Sequence, residues 1–103
     1  MKKICVIVLA LVLAWPVLSQ VSTPISITSS LVVSWQPANT ADSYTVKRSL
    51  VSGGPYTAIA TGITAETYID NTVAPKTTYY YVVDAVNTIG TSPDSAEAQG
   101  TTP

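Results

Sequence analysis

Beyond residue 19, the groups with chemical potential are six carboxylates, Asp42, Glu66, Asp70, Asp84, Asp94 and Glu97, and a liberal scatter of serine hydroxyls. Two carboxylates facing each other across a cleft can hydrolyse a glycoside, one as acid and the other as base or nucleophile. Here the acids are spread over loops and one outward strand face, and a domain this small offers no deep cleft to hold a sugar ring between them. A serine nucleophile needs a base, and the chain contains no histidine. Its one cysteine, Cys5, lies in the N-terminal apolar run, so the remainder has neither a thiol nucleophile nor the usual zinc ligands. The composition therefore predicts a protein that is not an enzyme, with no catalytic residue, cofactor or metal site.

Two short motifs invite more specific chemistry. Gly53-Gly54 could cradle a phosphate only between a strand and a helix, and the Pro55 that follows marks a turn between strands instead. Asp70-Asn71 supplies calcium-type oxygens, but no further ligands stand at fixed spacing, and the pair is the ordinary composition of an Asx turn.

The N-terminus reads as an address. Met1-Lys2-Lys3 is a positive start, Ile4 to Ala14 is an unbroken apolar run too short to span a bilayer, and Pro16 breaks any helix before Val17-Leu18-Ser19. This predicts a cleavable secretory signal over 1–19, cut after Ser19 with Ala14 as the fallback site, and a secreted, periplasmic or cell-surface protein. Removal leaves Lys47, Arg48 and Lys76 against the six carboxylates, a net charge of −3. Such a sparsely charged, mildly acidic surface speaks against nucleic acid and against an anionic membrane, which both require clustered cations. The processed domain has no disulfide available, so packing must hold it together.

Alternation organises the rest. Residues 20–30, interrupted by Pro24, suit a lead-in or short edge strand. Leu31 to Trp35 is the first solid strand, and a turn-rich stretch separates it from a second, where Tyr44 and Val46 point inward and Thr45 and Lys47 outward. A weaker strand runs from Tyr56 to Ala60, followed by Glu66 to Asp70. The longest, Thr78 to Val86, puts Tyr79, Tyr81, Val83 and Ala85 on one side and Tyr80, Val82, Asp84 and Val86 on the other. Ser95 to Thr101 closes the series. Short strands separated by turns at roughly 8 to 12 residue spacing, without helical periodicity, predict an all-β sandwich.

The segments LVVSWQP, YTVKRS, SGGPYTAIATG, TYID, VAPKTTYYYVVDAVN and IGTSPDSAEAQGTTP, in that order, carry a resemblance to a known family. Residues 31–103 resemble a fibronectin type III domain, in particular the small bacterial kind attached to secreted hydrolases and surface proteins. The resemblance implies an immunoglobulin-like seven-stranded Greek-key sandwich whose structural core includes Trp35, Tyr44, Tyr68, Tyr79 and Tyr81. Tyr79 would be the tyrosine-corner residue, returning its hydroxyl to backbone near Val73 to Pro75. Two positions later, where immunoglobulin domains carry a cysteine, stands Tyr81, expected to pack on Trp35 in place of a disulfide. Only about eleven residues separate the expected cleavage site from Leu31, so the first strand should be short or irregular and one sheet edge poorly protected.

The remaining functional candidates are the outward residues Tyr80, Val82, Val86, Thr45 and Lys47, with an expected Lys47–Asp84 pair beside them, and the loops Ser52 to Pro55 and Asn87 to Ser92. Neither loop contains Arg-Gly-Asp. The sequence thus predicts a monomeric, non-catalytic module for protein interaction, adhesion or spacing. The alternative is a carbohydrate-binding accessory module using the Tyr80 face, so the expected partner is a protein or a polysaccharide.

Overall fold

The computed structural model describes residues 13–18 and 27–103. They form seven strands and no helix: β1 (Leu13–Leu18), β2 (Ile27–Ser34), β3 (Ser43–Ser49), β4 (Thr57–Ile63), β5 (Thr67–Asp70), β6 (Thr78–Val86) and β7 (Ala98–Thr101). All pairings are antiparallel, in a three-stranded sheet of order β1-β2-β5 and a four-stranded sheet of order β4-β3-β6-β7. This is the expected sandwich.

Residues 1–12 and 19 of the expected signal, and 20–26 of the expected lead-in, lie outside the described residues. Residues 13–18, at the end of the expected signal, form β1, and residues 27–30 lengthen β2 beyond the strand read from Leu31. At the other end the last strand starts at Ala98 rather than Ser95. The reason is chemical. Pro93 has no N–H, and the hydroxyls of Ser92 and Ser95 accept the β6 amides of Ala85 and Val83 at 2.8 and 2.9 Å while their own amides donate to the Ala85 and Val83 carbonyls, so side-chain oxygens stand in for the carbonyl half of the ladder there.

Strand alternation builds the core as expected. Leu31 and Val33 of β2 and the following Trp35 meet Tyr44 and Val46 of β3 and Tyr79, Tyr81, Val83 and Ala85 of β6, all buried, with Tyr68 packed at their margin. Three buried phenols need three partners. Tyr44 Oη accepts the Ala38 amide at 2.8 Å, and Tyr79 Oη accepts the Ala74 amide at 2.8 Å, which is the expected corner between Val73 and Pro75.

Tyr81 departs from expectation. Trp35 sets its ring edge against Tyr44, with centroids 5.4 Å apart, rather than against Tyr81. Strand register explains this. Tyr44 lies opposite Ala85 and Tyr81 opposite Arg48, so four residues of β6, roughly 13 Å, separate Tyr81 from the Trp35 level.

Tyr81 instead donates its hydroxyl to Asp70 Oδ2 at 2.7 Å. The same oxygen accepts Arg48 Nη1 at 2.8 Å, while Asp70 Oδ1 accepts the Thr72 amide and hydroxyl at 3.0 and 2.6 Å. Arg48 also reaches Thr72 Oγ1 at 2.8 Å and lies 4.8 Å above the Tyr79 ring centre. The Asx turn read at Asp70-Asn71 is therefore present, and its carboxylate, fully buried, ties β5 of one sheet to β3 and β6 of the other.

Burial alone would raise the Asp70 carboxyl, but the bonds from Thr72, Tyr81 and Arg48 outweigh it and hold the group below its ordinary value of 3.8. A depressed folded-state value contributes stability that is fully present above the unfolded value and is lost as pH falls through the folded one.

Two outcomes are expected. Tyr79→Phe lowers the unfolding free energy by about 1 kcal/mol in urea denaturation, with little change in slope. Asp70→Asn leaves Arg48 without its buried counter-charge, lowers stability at neutral pH by about 3 to 5 kcal/mol, and abolishes the Asp70 share of the loss of stability on acidification below about pH 4; denaturation curves collected across that range measure both effects.

Candidate functional site

The outward surface of the four-stranded sheet gathers the residues singled out for function. β3 and β6 run side by side over seven pairs, placing Thr45 opposite Asp84, Lys47 opposite Val82 and Ser49 opposite Tyr80. Thr45, Lys47, Tyr80 and Val86 are half-buried, so they do share one surface. Val82 does not contribute to it. Although it points away from the inter-sheet core, it is only 3% exposed.

The cover over this side comes partly from charge. Lys47 Nζ lies 3.0 Å from Asp84 Oδ2, the expected pair, and 2.8 Å from Asp94 Oδ1, which was not anticipated. Bonding to Asp94 and then to Asp84 raises the Lys47 ammonium above its ordinary value and keeps it charged. Asp94 escaped the sequence reading because it belongs to the irregular segment between β6 and β7, where no period places a side chain. Asp84 itself is buried, and its Oδ1 has no partner among the described residues.

A second organised element is the connection between β3 and β4. Glu97, just before β7, accepts the Gly53 amide and the Ser52 hydroxyl, each at 2.7 Å, and the Tyr56 hydroxyl. Because β7 and β4 are opposite edges of the sheet, these bonds draw the connection across the ends of β3 and β6. The Gly53 amide, then Tyr56 and Ser52, hold the exposed Glu97 carboxyl below its ordinary range. Gly54 is required here. It adopts φ +88°, and a Cβ would stand 3.0 Å from the Tyr56 amide and ring.

The connection presents Leu50 and Val51, 65% and 61% exposed, beside an open pocket of about 310 Å³ lined by Arg48, Ser49, Leu50, Pro55, Thr57 and Ile59. Only part of this was visible beforehand: Ser52 to Pro55 was a candidate loop, but the anchoring by Glu97 joins residues more than forty positions apart. The loop Asn87 to Ser92 lies at the other end of β6 and carries the exposed Ile89. The structure thus separates the two candidate loops and leaves the Tyr80 surface between them.

Among the described residues no three His, Cys, Asp or Glu side chains converge as a metal would require. Trp35, Tyr44, Tyr79 and Tyr81 are buried, and Tyr56, Tyr68 and Tyr80 are half-buried, so none of these seven rings is fully exposed.

No protein-family model matches the chain. Two amylopullulanases align with 58 of its residues, 56% of the chain: that of Thermoanaerobacter thermohydrosulfuricus at 41% identity and that of Thermoanaerobacterium saccharolyticum at 36%. The match spans only 4% of the length of either enzyme. Among solved structures, an Fn3-like protein from Clostridium thermocellum is 50% identical, with 72% of this chain and 77% of that one covered and a TM-score of 0.68. With the Tyr79 corner, the β1-β2-β5 and β4-β3-β6-β7 sheets and this likeness in hand, the chain belongs to the fibronectin type III family.

Proposed function

We propose that the protein is a secreted or cell-surface, non-catalytic module that makes protein contacts or spaces other domains, in the manner of an accessory unit of extracellular glycoside hydrolases. The observation that carries this reading is the relation of size to likeness. The stretch matched in each amylopullulanase is 4% of that enzyme, the dimension of one folded module within a much larger chain. A fold reused so widely does not itself specify a partner, and function must come from its surface. The signal features of residues 1–19 support export, and the two exposed aliphatic side chains on the anchored β3–β4 connection support contact with another protein.

The amylopullulanase likeness also favours a second reading, binding of carbohydrate. Stacking on a sugar needs an open aromatic ring, whereas Tyr80 is half-buried and Val82 beside it is covered. That geometry supports the protein-contact reading over the carbohydrate one.

Affinity electrophoresis through soluble α-glucans and a broad panel of other glycans separates the two. The expected result is unretarded migration of wild type and of Tyr80→Ala alike, together with specific co-purification of a secreted or surface protein from the native extract. Retardation by a glycan that Tyr80→Ala abolishes would replace the contact reading with carbohydrate binding.

A further inference from the structure

Every open sheet must manage its edges, because an edge strand exposes unpaired N–H and C=O groups to any passing strand. Three edges here are poor templates. β5 and β7 have four residues each, and β4 is broken by two register shifts against β3 and by Gly62 at φ +66°.

β2 differs from all three. Its eight residues, ITSSLVVS, include no proline and no charged side chain. It sustains six consecutive pairs with β1, from Leu18↔Ile27 to Leu13↔Val32, while β5 takes four on its other side. Among the described residues, what keeps β2 from being an edge is β1, and β1 lies wholly within the segment that carries the secretory signal features.

We propose that removal of residues 1–19 uncovers β2 and that two processed copies pair there, β2 against β2, antiparallel about a two-fold axis near Ser30. The inference rests on the secretory reading given above. Loss of β1 would leave each copy with a two-stranded β2-β5 sheet, a marginal unit that gains from additional strands. Pairing restores a neighbour to each β2 and creates a continuous four-stranded sheet, β5-β2-β2-β5. A second copy suits this edge because an antiparallel strand is its own complement under two-fold symmetry, so the contact closes and leaves neither β2 open. Without charged side chains on β2, no like charges meet across the axis. The sequence alone had suggested a monomer; its prediction of one poorly protected edge is the feature that leads away from that.

The test uses protein exported and processed by the cell. Intact mass establishes whether residues 1–19 are gone, and light scattering after size exclusion, over a range of concentrations, reports the assembly. Ser30 is half-buried and its neighbour Leu31 points into the core, so Ser30→Lys and Ser30→Glu place charge on the outward side of β2 near the axis. The expected result is a processed wild type of twice the chain mass, each variant alone at half that value, and an equimolar mixture of the two variants restored to the double mass. A processed wild type that stays monomeric at every concentration would overturn the proposal, as would a dimer that persists in Ser30→Lys. Retention of residues 1–19 would also overturn it, and the intact mass would then identify the secretory reading as the part that failed.

Discussion

The carboxylate of Asp70 is the constraint on which the rest of this sandwich depends. It stands at the end of β5 in one sheet and receives Arg48 from β3 and Tyr81 from β6 in the other, while Thr72 closes the turn beneath it. A chain with no cysteine beyond Cys5 has no disulfide with which to join its sheets. Tyr81, two residues after the corner Tyr79, instead reaches across the gap between the sheets with its hydroxyl. The bridge is polar rather than covalent. Its net gain over a well-packed apolar filling is small, but breaking it strands a buried charge. It therefore acts chiefly on alignment: a slip of β6 by one residue would turn Tyr81 outward and leave Asp70 unsatisfied.

Alignment at this point propagates. Arg48 reaches Asp70 while lying over Tyr79, and Tyr79 in turn holds the loop before β6 through the Ala74 amide. Trp35 and Tyr44 then close the opposite end of the core. Outside the core, the same register sets Lys47 beside Asp84 and presents β7 so that Glu97 can capture the β3–β4 connection. The surface available for contact is thus a consequence of how the sheets are registered.

Strands β2 to β7 and their facing were legible in the sequence, because alternation and turn chemistry are local properties, and the corner hydrogen bond of Tyr79 followed from the family resemblance. β6 matches its expected span of Thr78 to Val86, and Asp70-Asn71 does form a turn. Partners distant in the chain were not legible. Arg48 follows Tyr44 and Val46 on the inward side of β3, but nothing local showed that a buried carboxylate would meet it across the sandwich. Asp94 sits in a segment that follows no period, and Glu97, read within a strand from Ser95, lies just before the observed β7, so nothing local announced the partners they would meet. Val82 was read as outward, correctly, and as available, incorrectly, since alternation specifies direction and says nothing of what lies above a sheet. The pairing of Tyr81 failed for a related reason: distance along β6, rather than facing, decides which inward rings meet.

The central claim is that Asp70 and Arg48 act as one unit linking the two sheets, and a double-mutant cycle tests it most directly. Urea denaturation of wild type, Asp70→Asn, Arg48→Met and the double variant yields the coupling between the two side chains. The account predicts that the double variant is more stable than the sum of the single losses implies, with a coupling of about 1 to 3 kcal/mol, since removing both charges leaves neither stranded. Single losses that add to within about 0.5 kcal/mol would contradict it and return the cohesion of the sandwich to its apolar core alone.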